Sequence, residues 1–135
     1  MAQRFLGEPA WEDTPYEVLA RLCARTASGA ASPVESEGTL LNQSDISSIS
    51  CKVYDPEGTL IVQTTPVVSD AVYNTLQTTG VFSRMPNGGN FVYKIPATAF
   101  PTGDTTNTAE ITLTLGSGEL VRAVWTIPVL NLNQS

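Results

Sequence analysis

Carboxylates are the side chains in this 135-residue sequence that could do acid–base chemistry. The chain has no histidine, which removes the commonest general base, the usual partner of a catalytic nucleophile and the commonest transition-metal ligand. Two carboxylates at a suitable separation could still hydrolyse a glycosidic bond. Each candidate also has a structural role, in a turn, as a cap or at the start of a strand, so we expect the protein not to be an enzyme. The candidates are Asp45, Asp55, Asp70, Asp104 and Glu110.

No metal or cofactor motif accompanies these carboxylates. A calcium loop needs acidic oxygens at alternate positions, and the sequence has no Asp-x-Asp-x-Asp-Gly run. Gly88 and Gly89 are too isolated for a phosphate-binding loop and favour a turn. Cys23 and Cys51 lack the spacing of a zinc site, so we expect two packed, reduced thiols, with a bridge between them as the alternative. The sequence therefore predicts no metal and no cofactor.

Aromatic side chains could form a different kind of site, a surface on which sugar rings stack. Trp11, Tyr54 and Tyr93 are the candidates. Tyr54 and Tyr93 have a structural alternative, in which each covers an edge of the core. Trp11 has two interpretations, because it could fold back over its own domain or dock on a neighbouring subunit. A carbohydrate-binding adhesion module is therefore one alternative function.

The charge of the chain limits its partners. The net charge is −6 at neutral pH, and the few basic residues are scattered. Binding to nucleic acid or to an anionic membrane needs clustered lysine and arginine, so neither is expected as a partner. The first residues lack the apolar segment of a signal peptide, and no segment approaches the roughly 18 apolar residues of a membrane span. We expect a soluble protein without a signal peptide.

A β-hairpin over residues 110–127 is the element around which the sequence predicts the rest of the fold. Apolar and polar residues alternate on both sides of a Gly-Ser-Gly-Glu turn, as in strands with one buried face. Trp125 is the largest side chain on that face, and its burial is worth a few kcal/mol. The residues expected to face the core are Ile111, Leu113, Leu115, Val121, Ala123, Trp125 and Ile127.

A second predicted hairpin surrounds the clearest turn signal in the chain. Residues 46–55 alternate in the manner of a strand. Asp55, Pro56 and Gly58 occupy the first, second and fourth positions of a type I turn, and Gly58 can adopt a left-handed conformation. The partner strand is predicted over residues 59–65.

The remaining segments are less regular. Residues 16–25 fit a strand and a helix equally well, and the β-rich character of the chain favours a strand. Residues 26–44 predict a long loop. A short helix is predicted at about residues 69–77, and residues 91–95 predict another strand.

Together these elements predict an all-β protein, an antiparallel immunoglobulin-like β-sandwich with one short helix. The predicted domain covers residues 15–127. Residues 1–14 lack any period, and Pro128 is expected to end the last strand. We therefore predict extended N- and C-terminal arms over residues 1–14 and 128–135.

The order of these features resembles a group of small all-β proteins that are encoded among the virion structural genes of tailed phages and phage-like elements. The similarity covers residues 16–127. The matching pieces are Asp45-Ile-Ser-Ser-Ile-Ser-Cys-Lys-Val-Tyr-Asp55, Val72-Tyr-Asn-Thr-Leu-Gln-Thr78, Asn90-Phe-Val-Tyr-Lys-Ile-Pro-Ala-Thr-Ala-Phe100 and the closing hairpin.

The resemblance implies a non-enzymatic building block of a virion, made in the host cytoplasm. We expect a capsid decoration or cement subunit, with a tail, baseplate or head–tail adaptor protein as the alternative. Its expected partners are other virion proteins, namely the major capsid protein or tail proteins, and copies of itself. Apolar residues in the arms are the predicted contacts: Phe5, Leu6, Trp11, Leu130 and Leu132.

Overall fold

The computed structural model describes residues 2–6, 9–24, 31–32, 39–85 and 88–131. These residues form β-strands, one short α-helix and three 3₁₀ turns at Gln43–Asp45, Gly80–Arg84 and Ala97–Ala99. The strands are β1 (Ala2–Leu6), β2 (Ala10–Trp11), β3 (Tyr16–Ala20), β4 (Cys23–Ala24), β5 (Ala31–Ser32), β6 (Thr39–Leu40), β7 (Ile46–Tyr54), β8 (Leu60–Thr64), β9 (Val72–Gln77), β10 (Gly89–Ile95), β11 (Thr105–Leu115) and β12 (Leu120–Leu130); the helix is α1 (Val68–Ala71).

The predicted hairpin lies at the centre of the main sheet, whose strand order is β1-β12-β11-β7-β8. In β11 and β12, Ile111 is opposite Ala123 and Ala109 is opposite Trp125. All seven residues expected to face the core are buried, with Trp125 6% exposed. The hairpin prediction is confirmed, and both strands are longer than the alternation alone indicated.

The N-terminal segment joins the same sheet. Strands β1 and β2 both pair with β12 in parallel, β1 along residues 122–126 and β2 at Val129 and Leu130. Strands β1 and β2 of the predicted N-terminal arm and residues 128–130 of the predicted C-terminal arm therefore lie in the domain's own sheet. The expectation that Pro128 ends the last strand is wrong, because β12 continues to Leu130. The proline is tolerated where it lies between the segments paired with β1 and β2, so that its missing N–H interrupts neither pairing.

A three-stranded sheet of order β3-β10-β9 packs against the main sheet and closes the sandwich. Its Val18, Phe91 and Ile95 belong to the same buried cluster as Trp125 of β12. Because β3 pairs along its length with β10, the strand interpretation of the N-terminal part of residues 16–25 is confirmed. The all-β sandwich predicted from the sequence is also confirmed.

The predicted helix at 69–77 is wrong in its extent. The helix ends after one turn at Ala71, and Val72–Gln77 is strand β9. One turn has too few hydrogen bonds to propagate, while Val72 and Tyr73 favour extended backbone. The side chain of Gln43 also donates to the Val72 carbonyl oxygen (2.8 Å), which fixes the change of direction. No helix in the part of the chain that the structure describes has the length and apolar character to cross a bilayer.

The turn at Asp55 forms as predicted. The Gly58 N–H donates to the Asp55 carbonyl oxygen (3.0 Å), and Gly58 has a φ of 86°. One oxygen of the Asp55 carboxylate accepts from the N–H groups of Glu57 and Thr59. The predicted loop over residues 26–44 contains two short strands, β5 and β6, which flank β4 in a small third sheet.

Candidate functional site

Three segments that are distant in sequence meet at one end of the main sheet. The Glu12 N–H donates to the Leu130 carbonyl oxygen (2.9 Å). The Asp13 N–H donates to the Phe100 carbonyl oxygen (2.8 Å), and the Asp104 N–H donates to the Val129 carbonyl oxygen (2.8 Å). We call this region, formed by residues 11–14, 100–104 and 129–131, the Trp11 end.

Local hydrogen bonds hold the turn after Trp11 in place. The Thr14 hydroxyl donates to the Trp11 carbonyl oxygen at 2.6 Å. Asp13, in the middle of the turn, has a φ of 58°, a left-handed conformation that aspartate and asparagine tolerate better than most residues. The direction of the chain at Trp11 is therefore set by its own turn.

Close packing at Gly103 joins the other two segments. A side chain at Gly103 would place its Cβ 2.6 Å from the Cα of Asn131, so only glycine fits there. The Gly103 N–H also donates to a carboxylate oxygen of Glu12 (3.1 Å). The backbone on both sides of Leu130 is therefore held by neighbouring loops.

Trp11 and Leu130 form an exposed apolar pair on this frame. They are register partners on β2 and β12, and they are 49% and 37% exposed. The preceding pair, Ala10 and Val129, is 3% and 2% exposed and belongs to the core. Since successive residues of a strand face opposite sides, burial of Ala10 and Val129 directs Trp11 and Leu130 outward.

Acidic residues lie on the segments next to this pair. Asp13 and Asp104 are exposed, and Glu12 is half-buried. Beside them, an open cleft of about 290 Å³ separates the 101–105 loop from the Asp55 turn, and Asp55 and Glu57 are among its lining residues. The lysines and arginines whose side chains the structure describes lie on other segments: Arg21, Lys52, Arg84, Lys94 and Arg122.

The five acidic catalytic candidates lie on different elements. The Asp45 carboxylate accepts from the Asn42 N–H in a capping box, Asp70 is in α1, and Asp55 and Asp104 lie in turns. Glu110 is opposite Lys52 in the main sheet. Within the described ranges, no three histidine, cysteine, aspartate or glutamate side chains lie close enough together to hold a metal ion.

The three aromatic candidates for sugar binding do not form one surface. Tyr93 packs against the core, and its hydroxyl is 2.7 Å from the Thr64 hydroxyl across the two sheets. Tyr54 ends β7 and lies beside Thr108, away from the β2 strand that carries Trp11. Tyr93 therefore covers an edge of the core, which is the structural alternative to sugar binding.

The structure brings together two of the five predicted contact residues, Trp11 and Leu130. For Phe5 and Leu6 it describes the backbone, which lies in β1 beside Trp125 and Thr126. Leu132 lies outside the described residues. The acidic surroundings of Trp11 were missed, although Glu12 and Asp13 directly follow it in sequence.

Cys51 is a free thiol in the core, so the alternative of a bridge to Cys23 is wrong. Burial raises the pKa of the Cys51 thiol to about 11, and a hydrogen bond with Thr64 opposes this rise. At neutral pH Cys51 is therefore an uncharged, unreactive packing residue.

These features define the class of the protein, an all-β sandwich that presents an apolar pair among carboxylates at one end. Compared with models of known protein families and with curated protein sequences, the chain matches none.

Proposed function

We propose that this chain is a non-enzymatic structural protein of a phage or phage-like virion, a capsid decoration subunit that binds neighbouring capsid proteins through its Trp11 end. One observation carries the proposal. The two terminal segments pair in parallel and expose Trp11 and Leu130 side by side on an ordered backbone. Large apolar side chains on a rigid frame are suited to anchoring in a partner's pocket at low entropic cost.

The resemblance of residues 16–127 to small all-β virion proteins supports the same proposal. A decoration subunit needs a stable domain and an adhesive surface, and it needs no catalytic centre. The major capsid protein is the proposed partner, and the virion is the proposed location.

The test uses particles produced from a genome in which the gene for this chain has been deleted. Purified full-length chain is added, the particles are sedimented, and the bound copies are counted by quantitative mass spectrometry. A decoration subunit binds in fixed proportion to the capsid protein. A few copies per particle would instead indicate a tail, baseplate or head–tail adaptor protein, and no binding would contradict a role in the virion.

Two single substitutions at opposite ends of β12 give a matched comparison of particle binding. Leu130→Ser changes the Trp11 end, while Leu120→Ser changes a similarly exposed leucine (46%) at the opposite end of β12. We expect Leu130→Ser to reduce binding and Leu120→Ser to leave it unchanged. Equal effects of the two variants would contradict the assignment of the surface. Deletion of residues 1–14 is a poor test, because it removes two strands of the main sheet.

A further inference from the structure

We infer that the Trp11 end binds a protein surface on which lysine or arginine side chains surround an apolar recess. The inference rests on the proposed function, and it adds the chemistry of the partner and the orientation of the domain. The main sheet would meet the partner with the end that carries Trp11.

The apolar centre determines what the recess must hold. Trp11 and Leu130 are neighbours on parallel strands, and both are exposed. Tryptophan is among the residues that most often anchor protein interfaces, because a large ring is desolvated with few rotatable bonds. A partner must therefore offer a pocket wide enough for an indole and a leucine side chain.

The charges beside that apolar centre determine which charge the rim of the partner's recess must carry. Asp13 and Asp104 are exposed beside the pair, whereas the Glu12 carboxylate is half-buried and accepts from the Gly103 N–H. A neutral or acidic partner would desolvate the Asp13 and Asp104 carboxylates without compensation, whereas lysine or arginine would pair with them.

Lys52 and Arg122 are the basic residues of the main sheet whose side chains the structure describes, and both lie too far from this end to neutralise it. Lys52 is on the same rung as Glu110 and Val124. At a rise of about 3.4 Å per residue, that rung is about 20 Å from Leu130 along β12, beyond a screening length of about 8 Å at physiological salt. Lys94, on the other sheet, is opposite Glu17. None of these three described cations therefore neutralises the exposed Asp13 and Asp104.

The same charges argue against a symmetric dimer. A two-fold interface would place the Trp11 ends of two copies against each other, and each carboxylate would face like charges. A different protein with a basic rim fits this surface better than a second copy of the chain.

The experiment measures association and dissociation rates of the full chain on immobilised particles that lack it, from low to physiological salt. The charge variant is Asp13→Asn with Asp104→Asn. Both residues have a left-handed φ near 60°, which asparagine also adopts, so the backbone is preserved. The matched control removes two exposed carboxylates elsewhere, with Glu119→Gln and Asp70→Asn.

We expect the association rate of the charge variant to fall several-fold at low salt and to depend less on salt than that of the wild type. The control should behave as the wild type. Trp11→Ala should raise the dissociation rate roughly tenfold or more, because it removes the anchor.

Three outcomes would overturn the inference. If the charge variant and the wild type share one association rate and one salt dependence, the basic rim is wrong while the proposed function stands. If sedimentation shows self-association that Trp11→Ala abolishes, the occupant is a second copy. If the wild type does not bind the particles at all, the proposed function fails together with the inference.

Discussion

Trp11 and Leu130 lie opposite each other on parallel strands, although almost the whole chain separates them in sequence. The pairing depends on the hydrogen bonds around it, including the one from the Glu12 N–H to the Leu130 carbonyl oxygen (2.9 Å). Both ends of the chain are thereby joined at the place where the apolar pair is exposed. The loss of stability on replacing a side chain depends on how deeply that side chain is buried. Changes at the buried Trp125 should therefore affect stability, and changes at the exposed Trp11 should affect binding.

Replacement of Trp125 should therefore mainly lower stability, and replacement of Trp11 should mainly weaken binding. Trp125 is 6% exposed in the core cluster, and Trp125→Ala should lower the free energy of unfolding by about 3–5 kcal/mol. Trp11 is 49% exposed, and Trp11→Ala should cost about 1–2 kcal/mol while it weakens particle binding. Urea denaturation measures the first quantity and sedimentation with particles the second. A loss of stability from Trp11→Ala equal to that from Trp125→Ala would show that Trp11 is a core residue.

The buried thiol predicts how stability changes at high pH. The folded-state pKa of Cys51 is raised from about 9 to about 11, so the thiol's contribution is fully present below pH 9 and is lost as the pH rises through 11. The loss over this window should be about 2–3 kcal/mol relative to a Cys51→Ala variant. Denaturation of both proteins from pH 8 to 11 measures the difference, since all other titrating groups are common to them. A constant difference would contradict the raised pKa.

The parts of the fold that could be predicted from sequence are those in which local pattern and tertiary contacts agree. Alternation from 110 to 127 and the Asp55 turn are formed by neighbours in sequence, and both are present. The helix prediction failed because the spacing of Val68, Val72 and Leu76 fits one helix face, while the choice between helix and strand depended on a distant contact. Gln43, which donates to the Val72 carbonyl oxygen, is that contact.

The candidate site could be predicted only as residue types. Trp11 and Leu130 were recognisable as apolar residues in segments without a period. Their meeting depends on parallel pairing between the two ends of the chain, which no local pattern indicates. The alternation of Ile127 and Val129 continues across Pro128, but the proline favoured a strand end at that point.

Asn90 should be the most sensitive polar residue of the core. It is 0% exposed; its amide donates to the carbonyl oxygens of Leu22 (3.2 Å) and Leu41 (2.8 Å), and its side-chain oxygen accepts from the Leu22 N–H (2.6 Å). Asn90→Asp puts a carboxylate where two donors are needed. Asn90→Ala removes the side-chain partner of the Leu22 N–H and of the Leu41 carbonyl oxygen, while the Leu22 carbonyl oxygen keeps its bond from the Leu41 N–H (2.9 Å). We expect each to cost about 3 kcal/mol or more in chemical denaturation.

An exposed asparagine is the control for Asn90. The Asn74 side-chain oxygen accepts from the Gln43 N–H (2.8 Å) at the surface, where water can replace it. Asn74→Ala should cost about 1 kcal/mol or less. Equal costs at the two positions would mean that burial of the Asn90 amide does not decide its contribution.

The hydrogen bond between Thr64 and Tyr93 should account for a measurable part of the contact between the two sheets. Their hydroxyls are 2.7 Å apart, and the bond is partly buried. A double-mutant cycle of Thr64→Val and Tyr93→Phe should give a coupling free energy of about 0.5–1.5 kcal/mol, because either change removes the same bond. Thr64→Val combined with Tyr73→Phe, at an exposed tyrosine on β9, should be additive within about 0.5 kcal/mol. Additivity in the first cycle would show that the bond contributes nothing to stability and that the two sheets are held by apolar packing alone.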